Sequence, residues 1–287
     1  MTTVAAPAPR LEAIPRPASA FQRNLNLARE LAFTSFKLKY TGSALGYLWS
    51  LVKPMMLFGI MYAVFARLLR AGANAPEFAV QLLLAIILWN FFVESTATAI
   101  NSIASAGHLI RKAYFPRWIL VVASTLTALM TFLINIVLIL LITVPLGHMH
   151  LSVRSLAAPV YFLELVLLLL GLSLLLASAF VFYRDVGHIW EIAQLVLFYG
   201  SAIVFPFTLF VVKGTATQLT TLGTFAGLNP IAQIVEDLRH ALVSPDIPSM
   251  EHLLGPLYVV PIAIVLIVFV LGYAVFRHLT PRFAESL

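Results

Sequence analysis

The chain has 287 residues, of which 61% are hydrophobic and only 10% charged, with a formal net charge of +6. A soluble domain needs roughly a quarter of its residues charged to clothe its surface, so this composition excludes a water-soluble fold. Cysteine is absent, which removes disulfides, thiolate metal sites and cysteine nucleophiles from consideration.

Residues 1–21 are rich in Ala and Pro and lack the apolar core of a signal peptide, so a disordered cytoplasmic leader is expected there. Helical period begins at residue 22. Leu25, Ala28, Ala32 and Phe36 share one face, widened by Leu27, Leu31 and Leu38, while Arg23, Asn26, Glu30, Thr34 and Lys37 occupy the other. Such a stretch, 22–40, suits an amphipathic helix lying in the headgroup layer. It is either a membrane-surface anchor alone or also a contact for a cytoplasmic partner, with Arg29 and Lys37 as the contact candidates.

Six apolar stretches then follow, each near the roughly 20 residues that cross a hydrocarbon core of about 30 Å. They are Tyr47–Ala66, Phe78–Ser102, Trp118–Leu146, Leu156–Phe182, Ile189–Phe210 and Leu254–Phe276. Their continuous apolarity, without the alternation of a barrel strand, predicts helices: an all-α polytopic membrane protein over 41–287. Thirteen of the 18 Lys and Arg fall on one side if six spans are counted; Arg67, Arg70, Arg154, Lys213 and Arg239 fall on the other. The positive-inside rule then places both termini in the cytoplasm, and the net charge reads as topology and not as a nucleic-acid surface.

The second span carries Asn90, Glu94, Thr98, Asn101 and Ser105 on one helix face, and the third carries Ser124, Thr127, Thr131 and Asn135 similarly. An ionised carboxylate at the bilayer centre costs about 2.5 to 3.5 kcal/mol on insertion scales, so Glu94 is expected to face protein or water. These stripes either line a hydrophilic conduit or serve interhelical hydrogen bonding. Trp89 and Phe92, with Tyr199 at the end of the fifth span, are the aromatic candidates for the lining of such a conduit; interface anchoring is the alternative.

In the second loop, Leu109, Ile110, Arg111 and Lys112 lead through Phe115 to the break at Pro116 and to Arg117, a rigid elbow shaped to dock in a cleft, or simply a positive loop. Arg184-Asp185 closes the fourth span and is read as an ion pair or a transmission contact. The fifth loop, 211–253, is too apolar for a tether, and Asn229-Pro230 divides it into two short helices.

No G-x-x-x-x-G-K-[ST], G-x-G-x-x-G or H-E-x-x-H pattern occurs, so active transport would require ATP hydrolysis on a separate chain. The seven His lie mostly in loops or at span ends, and no metal site is expected.

Tyr40, Ser43, Leu45, Gly46, Trp49 and Pro54 at the first span, the second-loop run from Leu109 to Arg117, Tyr183-Arg184-Asp185-Val186, and Asn229-Pro230 with Arg239 occur in this order. Together they resemble the permease subunit of ABC exporters that move polysaccharides or polyol phosphates, such as O-antigen and teichoic acid exporters, over about residues 22–280. The resemblance implies a coupling helix in the second loop seated on the ATPase, and re-entrant helices in the fifth loop that cap the outer exit, with Asn229, Pro230, Glu236, Asp237 and Arg239 as gate residues and the three charged ones expected near the outer surface. It further implies a homodimer in the bacterial plasma membrane with two copies of an ABC ATPase carrying ATP and Mg, and a lipid-linked polymer as cargo. Competing readings are a permease for drugs or small lipids, an ion-coupled carrier using Glu94 and Glu164, and a membrane-embedded enzyme of lipid-linked sugars.

Overall fold

The computed structural model describes residues 19–43, 45–68, 77–107, 115–149, 151–212 and 218–283. The leader as far as residue 18 and the elbow residues Leu109, Ile110, Arg111 and Lys112 lie outside the described residues. Among the described residues the fold is all-α, with a single isolated bridge between Val211 and Leu219.

Helix α1 (Ala20–Tyr40) begins with a capping box between Ser19 and Gln22. It buries Ala28, Ala32, Phe36 and Tyr40, whereas Leu25, predicted on that face, is 47% exposed. The buried stripe lies on α4 (Trp118–Thr143), and its two alanines let the backbones approach: the Thr127 hydroxyl donates to the Ala32 carbonyl at 3.3 Å. Between them come α2 (Trp49–Tyr62), which continues as a π-helical turn to Leu68, and α3 (Phe78–Ser105).

The remaining helices are α5 (Ala158–Phe182), α6 (Val186–Gly200), α7 (Thr221–Gly227), α8 (Pro230–Leu242), α9 (Met250–Leu254) and α10 (Val259–Leu279). Five segments are long and apolar enough to cross a membrane: Gly46–Leu68, Phe78–Ser105, Trp118–Thr143, Val153–Phe182 and Met250–Arg282. They correspond to the first four predicted spans and the last.

The predicted fifth span, 189–210, is helical only as α6. Its 15 residues reach about 22 Å at about 1.5 Å each, short of the hydrocarbon core. Beyond it Ala202 adopts φ 51°, a left-handed conformation, and a short 3₁₀ turn follows at Phe207–Phe210. The next segment divides at Asn229-Pro230 into α7 and α8, as the sequence predicts.

Helix α3 is the hub: 78% of its most apolar window is buried, against 11% for Gly46–Leu68. Phe91 on α3 meets Phe132 of α4 (centroids 4.9 Å apart), which stacks at 5.0 Å on Phe162 of α5. Helices α5 and α10 cross where two glycines meet. A Cβ on Gly272 would lie 2.1 Å from the Gly171 carbonyl oxygen, and one on Gly171 would lie 2.6 Å from the Phe269 Cα. Small residues supply such close crossings in membranes, where lipid tails are as apolar as leucine and dispersion replaces the hydrophobic effect.

Replacing Gly272 with Ala is therefore expected to destabilise the bundle by about 1–3 kcal/mol, because the obstacle is backbone and not a movable side chain. Thermal unfolding in mild detergent measures this. Gly59→Ala, whose new methyl meets nothing within 4 Å, serves as the control and should leave the transition unchanged or raise it.

Candidate functional site

The polar stripes of α3 and α4 face each other beneath α1 and border two adjoining clefts. Asn90, Glu94 and Thr98, with Thr131 and Asn135 opposite, border a cleft of about 320 Å³ that Lys39 and Tyr40 of α1 and Trp49 and Lys53 of α2 close. Thr98, Ser102 and Ser105, with Ser124 and Thr127, border a second of about 420 Å³ under Leu31 and Ser35. Lys39, Glu94 and Thr98 belong to both.

Where the clefts meet, the Lys39 ammonium donates to Glu94 Oε1 at 2.5 Å, and the Thr131 hydroxyl donates to the same oxygen at 3.0 Å. Three helices are thereby joined at one carboxylate. As the insertion cost demands, Glu94 faces protein and not lipid. Its partner is not legible in the sequence, which puts Lys39 at the end of the amphipathic stretch 22–40; a contact across 55 residues leaves no periodic trace.

The other lining candidates divide. Trp89 and Tyr199 border a separate cleft of about 310 Å³ between α2, α3 and α6, together with Gln194 and Phe198. Asn101 is exposed and borders neither polar cleft. Phe92 corrects the expectation: it is 0% exposed, stacked at 5.1 Å on Trp89 and 6.0 Å from the Trp190 ring, so it fills the interior instead of lining a path.

Of the coupling candidates, Arg29 is exposed, and Lys37 is exposed with its ammonium 4.4 Å from the Phe33 ring centroid. Phe115 is half-buried. Arg117 turns to the end of α10, where its guanidinium donates to the Thr280 carbonyl and sits 5.9 Å from the ring of the buried Phe283. Arg184 lies 5.1 Å from the Phe180 ring, and Asp185 occupies the N-cap position of α6. Of the two readings of Arg184-Asp185, the ion pair is absent among the described residues, and Arg184 lies over the Phe180 ring instead.

The largest departure concerns α8. Glu236, Asp237 and Arg239, expected near the outer surface, are each 1% exposed. Arg239 pairs with Glu236 at 3.0 Å and donates to the carbonyls of Ile203 (2.9 Å), Ala202 and Phe205 (both 3.4 Å) and Gln81 (3.3 Å). These are chiefly the carbonyls released where α6 unwinds, and they must find partners inside the protein when lipid surrounds it.

Asn229 belongs to the same joint. Its side chain caps α8 by accepting from the Ile231 amide at 3.0 Å and donates to Ser201 at 2.9 Å, while Pro230 takes the first helical position, which needs no amide hydrogen. Asp237 accepts from Gln233, from the Tyr258 hydroxyl (both 2.9 Å) and from the Met250 amide (2.8 Å), fastening α9 and the start of the last span. Gln233 also donates to Glu164 at 3.4 Å, the partner that sequence alone does not name. Burial pushes the Glu236 and Asp237 carboxyls above the ordinary carboxylate range, opposed by the guanidinium at Glu236 and by the Gln233 hydrogen bond at Asp237.

Arg239→Ala is expected to cost about 3–5 kcal/mol, since it strands Glu236 as an unpaired buried charge. Arg239→Lys should recover little, because an ammonium lacks the planar fork that reaches several carbonyls at once. Folded yield and melting temperature in detergent measure both. A double-mutant cycle on Lys39→Met and Glu94→Gln should return a coupling of about 0.5–3 kcal/mol from the same melting data.

The sequence profile of the ABC-2 type transporter family matches residues 27–242, from within α1 to the end of α8, and so takes in both the clefts and the buried joint. Two O-antigen export system permease proteins RfbA of Klebsiella pneumoniae are 24% identical over 251 and 252 residues, 88% of this chain and 91% of theirs. The protein of that name from Myxococcus xanthus is 23% identical over 254 residues, with the same coverage. The four ordered motifs thus found their family, and this multi-pass membrane protein belongs to the ABC-2 type transporters.

Proposed function

We propose that this chain is the permease subunit of an ATP-driven exporter that moves a lipid-linked polysaccharide or polyol-phosphate polymer across the bacterial plasma membrane. The observation that carries the reading is similarity along 88% of the chain to permeases named for O-antigen export. ATP and Mg are bound and hydrolysed on a separate ABC ATPase, two copies of which serve a homodimer of this chain.

Several structural features support this division of labour. Met55, Met56 and Ile60 of α2 and Ile189, Ile192 and Val196 of α6 are exposed, leaving apolar faces for lipid and a second copy on either side of the cleft that holds Trp89 and Tyr199. Helix α6 together with 201–210 completes a sixth crossing, its freed carbonyls answered by Arg239, and both termini then lie in the cytoplasm. The segment around α7 and α8 is the outer gate, re-entering the membrane.

Coupling runs through the elbow at Leu109, Ile110, Arg111 and Lys112, and Arg117, which follows it in the sequence, is tied to the end of α10. It also runs through α1, whose exposed Arg29 and Lys37 face the ATPase and whose Lys39 pulls directly on α3 and α4. Arg184 and Asp185 add a further contact on the same side.

Purification of the tagged chain in mild detergent tests the reading. A stoichiometric ATPase should co-elute, hydrolyse ATP, and be lost when Arg111 and Lys112 are both replaced by Glu. A protein indifferent to ATP that transports on a proton gradient would overturn it in favour of an ion-coupled carrier.

A further inference from the structure

We infer that the 320 Å³ cleft between α1, α2, α3 and α4 is a binding site for a lipid head group that carries both a phosphate and free hydroxyls. The exporter reading enters only in one possible source of that head group, the glycan-bearing end of the cargo; the other source is a membrane phospholipid.

Two polar atoms of residues lining this cleft have no hydrogen-bond partner, the Tyr40 hydroxyl and Asn135 Oδ1, although Tyr40 is only 8% and Asn135 5% exposed. Buried polar groups left this way mark places where a ligand or an ordered water completes the set. Their chemistry specifies which groups fit. The amide nitrogens of Asn135 and Asn90 are both spent on their own helix, donating at 2.9 Å to the carbonyls of Thr131 and Ile86. The inner wall is therefore left mainly with acceptors, the two amide oxygens and the Glu94 carboxylate, beside the Tyr40 hydroxyl, which can give or take a hydrogen bond; acceptors call for hydroxyl donors.

The rim has the opposite character. Lys53 is exposed and makes no ion pair among the described residues, and Trp49 stands one helical turn away on the same face of α2. An ammonium there suits a phosphate, and the indole suits the C–H face of a sugar or polyol. The volume lies at the small end of the range for ligand sites, enough for one sugar or glycerol unit with its phosphate and too small for a polymer.

The full chain in phosphatidylcholine nanodiscs provides the test, with binding read by native mass spectrometry for four probes: dodecyl glucosyl phosphate, dodecyl phosphate, dodecyl glucoside and phosphatidylglycerol. The glucosyl phosphate should bind about tenfold tighter than either truncated probe. Lys53→Ala should weaken the phosphate-bearing probes about tenfold and leave dodecyl glucoside unchanged; Asn135→Leu should weaken the hydroxyl-bearing probes and leave dodecyl phosphate unchanged. This crossed pattern cannot arise from a general loss of folding.

Tighter binding of the glucosyl phosphate than of phosphatidylglycerol would assign the site to the cargo, and the reverse to a resident lipid. Equal binding of all probes, or variants that shift every probe alike, would overturn the proposal and leave the cleft to water. Because the permease is assayed alone, failure here leaves the ATPase experiment untouched, and failure there leaves this one standing.

Discussion

A backbone that leaves the helix inside a protein, away from water, must find hydrogen-bond partners in the protein itself, and this requirement organises the half of the molecule around α6 and α8. Helix α6 ends at Gly200 and the chain passes through the left-handed Ala202, an arrangement that exposes carbonyls with no intrahelical donor. The guanidinium of Arg239 reaches three of them and one carbonyl of α3 from a single fixed fork. Everything around it follows from that placement. Helix α8 must be buried to bring Arg239 there, Glu236 must come with it to neutralise the charge, and Asn229 must fix the start of α8 against Ser201.

The other half is governed by a different charged pair. Lys39 and Glu94 are only partly buried, so their value is not chiefly stability; they determine where the end of α1 sits on α3 and α4. Because α3 packs against α2, α4 and α5, a displacement of α1 transmitted through Glu94 arrives at the centre of the bundle. On the proposed function, such a link would carry a working stroke that originates outside the membrane to a path within it. The two polar clefts meet at this pair.

The instructive misreadings share a cause. The resemblance puts Glu236, Asp237 and Arg239 near the outer surface, on helices that cap an exit, and the neighbourhood of Trp89 and Glu94 in the sequence puts Phe92 on a pathway. Both assignments depend on which way a helix is rotated, and that is set by its neighbours. Helix α8 is covered on nearly every side, so no face of it remained for water. On α3, four-residue spacing placed Asn90, Glu94 and Thr98 together correctly, but the same period puts Phe92 on a different face, against Trp190.

Composition and hydropathy alone determined that this chain is a helical membrane protein, because nothing but continuous helices or closed barrels can span lipid and the apolar runs admit no alternation. Helical period likewise fixed the stripe that seats α1 and the two polar faces of α3 and α4, and the Asn-Pro pair fixed the start of α8. What the tertiary structure alone decided is which charges meet: Lys39 with Glu94, Arg239 with the unwound end of α6, Glu164 with Gln233. Local sequence patterns encode the face on which a residue lies over a few turns; they carry no record of a partner 55 residues away, which only the packing of whole helices brings within reach.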